Sequence, residues 1–123
     1  MITEDYVSFE TAKLLKEKGF NKSCLWYYYE DGSEAYNNTE LGKIYYPKPT
    51  LQMTMKWLRE VHNLFIFIST WLKHKDGTVQ YYYEIRNLND KDFETIADCT
   101  STEFNSYEET CEAAIKYCLE NLI

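Results

Sequence analysis

Glycine and proline are scarce in this chain, four and two among 123 residues, and long apolar runs are missing. So few turn-forming residues imply regular elements joined by short connections. The longest apolar run, LFIFI at 64–68, is the length of a strand. It falls far short of the roughly 20 residues that a membrane helix requires, so no membrane association is expected. The N-terminal stretch MITEDYVSFE is acidic. It lacks both the positive region and the apolar core of a signal peptide, and a cytoplasmic location is expected. Basic residues are few as well, 13 Lys and Arg against 20 Asp and Glu, for a net charge of −7. A phosphate backbone is held by clustered cations, which excludes direct nucleic-acid binding as the leading reading. Such acidity still permits binding to a basic partner.

Reaction chemistry is equally thin. No GxSxG, P-loop, GxGxxG, HExxH or EF-hand pattern occurs. The four cysteines, Cys24, Cys99, Cys111 and Cys118, form neither a CxxC pair nor a Cys/His cluster at zinc spacing. Without a secretory signal they are expected to be reduced, and Cys111 and Cys118 fall on the apolar stripe of a helix, as small buried residues do. Cys24 with His62 is the Cys–His combination to consider for nucleophilic catalysis, although a histidine closing a helix is favoured there by the helix dipole alone. No catalytic residue, metal ligand or cofactor is assigned, and a non-enzymatic role is expected.

What the chain has in excess is tyrosine, twelve residues, with one triplet in WYYYEDG at 26–32 and another in QYYYEIR at 80–86. Ser8 is placed to cap a helix over 9–18, stopped by Gly19 with Phe20 folding back. A strand at 24–30 turns at Asp31-Gly32 into short strands near 34–36 and 43–46. After Pro47 and Pro49, Thr50 caps a helix over 51–62. Strands at 64–72 and 78–87 form a hairpin, 93–99 adds a third strand, and Ser106 with Glu109 opens the last helix as a capping box. The order α-β-β-(β)-α-β-β-β-α reads as an α+β fold. A single domain over 1–123 is expected, with an antiparallel sheet of about four to six strands covered by three helices. Two helix-then-strand units, each with a tyrosine triplet, also hint at a duplication.

Alternation along strands sorts the side chains. Leu64, Ile66, Ile68, Leu72, Val79, Tyr81, Tyr83 and Ile85 belong to one face, suited to packing beneath helices. The other face collects Trp26, Tyr28, Phe65, Phe67, Trp71 and Tyr82. That aromatic set is either a second core layer, if helices cover both faces, or a partly exposed patch of the kind that marks binding sites and oligomer interfaces.

Three stretches, EDYVSFETAKLLKEKGF at 4–20, YPKPTLQMTMKWLREVHN at 46–63 and SYEETCEAAIKYCLENLI at 106–123, carry a likeness. They resemble a family of small proteins from Bacteroides-type gut bacteria and their prophages or mobile elements. That family has no assigned activity, so the resemblance implies a phage or mobile-element setting and transfers no functional residue. The expected function is therefore protein–protein contact through the aromatic sheet face, with a partner protein or as a homodimer, including modulation of a host protein. The alternative is a binding or sequestering protein for a metabolite or nucleotide, with an aromatic-lined pocket.

Overall fold

The computed structural model describes residues 2–37, 42–91, 95–98 and 104–123, with the side chains of Trp71 and Leu72 outside the description. The fold is α+β: α1 (Phe9–Glu17), β1 (Trp26–Tyr29), β2 (Glu34–Tyr36), β3 (Tyr45–Pro47), α2 (Leu51–His62), β4 (Leu64–Lys73), β5 (Val79–Asn87), β6 (Thr95–Asp98) and α3 (Tyr107–Asn121). No helix among the described residues is long and apolar enough to cross a membrane. Of the strand expected at 93–99, residues 93, 94 and 99 lie outside the described residues.

Local chemistry sets the helix ends. The side chains of Ser8, Thr50 and Ser106 accept the N–H of Thr11, Met53 and Glu109, each filling an orphan donor of the first turn. At the end of α1 the N–H of Phe20 donates to Leu15 O at 2.9 Å and that of Gly19 to Lys16 O at 3.2 Å. This doubly bonded stop places Gly19 at a φ of 89°, where a side chain would be strained.

The strands form two antiparallel sheets, with orders β2-β1-β3 and β4-β5-β6. This corrects the expectation of one sheet. β3 returns to pair with β1, and the chain then leaves through Pro49 into α2. Both tyrosine triplets lie on centre strands, β1 and β5, yet the centre strand comes first in one sheet and second in the other. The two sheets therefore do not share a connectivity.

The helix α3 has the most buried residues of the three, with Thr110, Cys111, Ala114, Ile115, Cys118 and Leu119 fully buried. It packs on β4, β5, α1 and α2, while α1 packs on β3. The buried Thr54 and Thr110 return their hydroxyls to the carbonyls of Thr50 and Ser106 at 2.8 and 2.7 Å, so their polarity is satisfied within their own helices.

A carboxylate joins α3 to α1. Glu112 Oε1 accepts from the Ser8 N–H at 3.0 Å, the Ser8 hydroxyl at 2.5 Å and the Thr11 hydroxyl at 2.6 Å, placing its charge at the positive end of α1. One turn further along α3, Lys116 Nζ meets Glu10 Oε1 of the first turn of α1 at 2.7 Å. Replacing Glu112 by Ala strands three donors of which two are part of the α1 cap. It is expected to lower unfolding stability by about 2 kcal/mol, against a smaller loss for Glu112→Gln, as read from urea denaturation midpoints.

Candidate functional site

The six aromatic residues expected on one face are divided between the sheets. Trp26 and Tyr28 belong to β1, whereas Phe65, Phe67 and Tyr82 belong to β4 and β5. Trp71 lies in β4, but its side chain is outside the described residues.

Tyr28 is a core residue, 8% exposed, with its hydroxyl donating to Val7 O at 2.7 Å and its ring edge-on to Phe9 at 5.4 Å. Burial, reinforced by the negative charges of Glu34 and Glu112, raises its phenol above the ordinary value and holds it as a neutral donor. Beside it the first sheet builds a cation cage. The register sets Glu34 opposite Tyr28 and Tyr36 opposite Trp26. The N–H of Lys48 donates to Trp26 O at 3.1 Å, carrying β3's line past β1 and bringing the Lys48 stem onto the same face. The ammonium stands 5.1, 5.4 and 5.1 Å from the ring centres of Tyr6, Trp26 and Tyr28, and 2.7 Å from Glu34 Oε1. Its side chain is only 12% exposed. Three ring faces and one carboxylate thus hold the chain's own lysine. Trp26 also stacks on Tyr36 at 4.9 Å.

Next to the cage, Tyr6, Cys24, Leu25, Lys48 and Met53 line a shallow cleft of about 300 Å3. That is the lower limit of the range usual for small-ligand sites, and its ammonium is already engaged by Glu34.

The second sheet is different. Leu64, Ile66, Ile68, Tyr83, Ile85 and Ala97 pack on the hydrophobic core, where α2 and α3 meet β4 and β5. Alternation sends Phe65, Phe67, Tyr82, Glu84 and Arg86 to the other side, and none of these five belongs to the hydrophobic core. Phe67 is 45% exposed in mid-strand, and Ile96 on β6 is exposed too. In register, Phe65 faces Arg86 and Phe67 faces Glu84, so the aromatic pair of β4 runs alongside the Arg86–Glu84 ion pair of β5, closed at 3.3 Å.

Nucleophile and metal readings find no assembly here. Cys24 Sγ bonds the carbonyl of Lys22 at 3.6 Å, whereas His62 stacks edge-on to Trp57 at 4.7 Å, and no hydrogen bond joins Cys24 to His62. Cys24, Cys111 and Cys118 are free thiols. Burial raises all three, Cys111 to about 11 and Cys118 to about 12, so each is a thiol at neutral pH and a poor nucleophile. Among the described residues no group of three His, Cys, Asp or Glu could hold a metal ion.

Lys48, Glu34, Tyr6 and Tyr36 were not singled out by sequence reasoning. Their cage depends on four segments meeting, and no local pattern signals it. Comparison with protein-family models, with curated proteins and with solved structures returned no match.

Two outcomes follow from this geometry. Lys48→Met, which keeps most of the stem and removes the charge, is expected to lower stability by about 1–2 kcal/mol, measured by urea denaturation. In mass-spectrometric alkylation at pH 8, the peptides carrying Cys111 and Cys118 are expected to stay unmodified until the protein unfolds, while Cys24 reacts slowly in the folded state.

Proposed function

We propose that this protein acts by binding another protein through the outer face of the second sheet. One observation carries the reading: Leu64, Tyr83 and Ile85 of β4 and β5 are buried in the core on one side, while on the other Phe67 stands exposed in mid-strand between the half-buried Phe65 and Tyr82. Aromatic side chains left open in mid-sheet gain most when a partner excludes water from them, and they are the residues on which interface energy concentrates. The Arg86–Glu84 pair beside them supplies the polar rim that such interfaces carry. The first-sheet aromatics support it less, since Tyr28 is buried and the Trp26 ring faces the chain's own lysine. The resemblance of the helical segments to phage and mobile-element proteins favours a host protein as the partner.

The second reading, a small ligand in the cleft beside Met53, draws on its apolar lining and its neighbouring cation.

Phe67→Asp and Tyr82→Ser test the main reading. Both are expected to fold and to weaken binding to a partner recovered by wild-type protein by roughly 30-fold or more, the effect of losing a central anchor of about 2 kcal/mol. The exposed Leu25→Asp, on the cleft side, is expected to bind as wild type. Loss by Leu25→Asp with retention by Phe67→Asp would place the contact on the first sheet and sink the proposal. A metabolite that stabilises wild type and Phe67→Asp but not Met53→Asp would favour the cleft.

A further inference from the structure

The strand β4 stands at the edge of the second sheet, and among the described residues no strand pairs with its outer side. The phase of the ladder follows from hydrogen bonds at its two ends. Leu88 N–H donates to Asn63 O at 2.7 Å, and His74 N–H donates to Thr78 O at 2.8 Å. Hydrogen-bonded and non-bonded pairs alternate in an antiparallel ladder. Counting inward from Asn63–Leu88 through the register makes Phe65–Arg86, Phe67–Glu84 and Ser69–Tyr82 the bonded pairs. Counting from the hairpin across the irregularity between Thr70 and Leu72 gives the same phase. The Tyr81 N–H, which donates outward to Phe104 O at 2.9 Å, agrees with it on the far side of β5. The N–H and C=O groups of Leu64, Ile66, Ile68 and Thr70 therefore point to the free edge. Among the described residues they meet there only a long 3.4 Å bond from the Ser69 hydroxyl to Thr70 O.

Exposed edges invite pairing, and proteins blunt them with short strands, charges, proline or bulges. The other edges here carry such devices. β2 has three residues, one of them Glu34; β3 has three and ends in Pro47; β6 has four and ends in Asp98. β4 has ten, and from 64 to 72 it contains no charge and no proline, with one irregularity near the hairpin end. All of it but Lys73 lies within 61–72, the longest stretch of the chain without Asp, Glu, Lys or Arg.

We propose that the β4 edge pairs antiparallel with β4 of a second copy, giving a two-fold dimer with one continuous six-stranded sheet centred near Phe67 and Ile68. Charge selects this occupant. Two chains of net charge −7 repel, and the neutral strip lets like copies meet with no charge opposed across the seam. A strand paired with itself is also self-complementary, as a two-fold interface requires. The proposal goes beyond the sheet-face reading and does not rest on it, because edge pairing leaves that face open on each copy.

The test is solution mass by light scattering over a range of concentrations, with backbone amide exchange. Wild type is expected to reach twice the monomer mass, and the amides of Ile66, Ile68 and Thr70 to gain at least tenfold protection as it does. Thr70→Pro removes an outward N–H that β5 does not use, and is expected to be a folded monomer by circular dichroism. Thr70→Lys, which keeps the N–H and adds edge charge, is expected to weaken the dimer at least tenfold. A wild-type monomer at millimolar concentration, or a dimer that survives both substitutions, would overturn the proposal. So would a dimer whose edge amides stay unprotected. Loss of partner binding in Tyr82→Ser, on the centre strand, bears on the sheet-face reading alone.

Discussion

The packing of α3 against its neighbours is the constraint on which the rest of the molecule depends. Its buried stripe is built largely from Thr, Cys and Ala, small enough to let α1, α2 and the second sheet approach one helix from several sides. A larger residue at Ala114 or Cys118 has no room to relax, because its surroundings belong to different elements. The same helix supplies Glu112 to the start of α1, and α1 in turn carries Phe9 onto Tyr28 and Tyr46 of the first sheet. The first sheet thus reaches the core through α1, while the second rests on α2 and α3 directly.

This asymmetry decides what the aromatic residues do. In the first sheet, Phe9 and Val7 close over Tyr28, and Lys48 caps the rings of Tyr6, Trp26 and Tyr28 while Glu34 neutralises it. Those rings are occupied by contacts within the chain. In the second sheet the core takes Leu64, Tyr83 and Ile85 from one side, while Phe67 on the other stays exposed and Phe65 and Tyr82 half-buried. Similar tyrosine-rich sequences on two centre strands therefore end in different surroundings, set by which helix lies over each.

The parts legible in the sequence were those governed by neighbours in the chain. The caps at Ser8, Thr50 and Ser106 bond backbone groups three residues away, and the hairpin turns place Gly32 and Gly77 at positive φ. Alternation put Leu64, Ile66, Ile68, Tyr83 and Ile85 on the side that meets the core, because a strand's faces are a local property, but the irregularity between Thr70 and Leu72 breaks that alternation near the hairpin. Nor could alternation tell which strands share a sheet. Trp26 and Tyr28 were grouped with Phe65 and Phe67 by alternation on one assumed sheet, whereas sheet membership is fixed by pairing between distant segments. The cage around Lys48 was hidden for the same reason, since Tyr6, Trp26, Glu34 and Lys48 come together only when the N-terminal segment, β1, β2 and the residue after β3 are in place.

The clasp between α1 and α3 joins Thr11 to Glu112 and Glu10 to Lys116, residues 101 and 106 positions apart. The β4–β5 hairpin, by contrast, closes across a tight turn. Contacts so far apart in the chain must overcome a large loop-closure entropy before they contribute anything. The hairpin and the small first sheet can therefore assemble early from local contacts. The docking of α1 onto α3, whose contacts span most of the chain, bears that closure entropy in full.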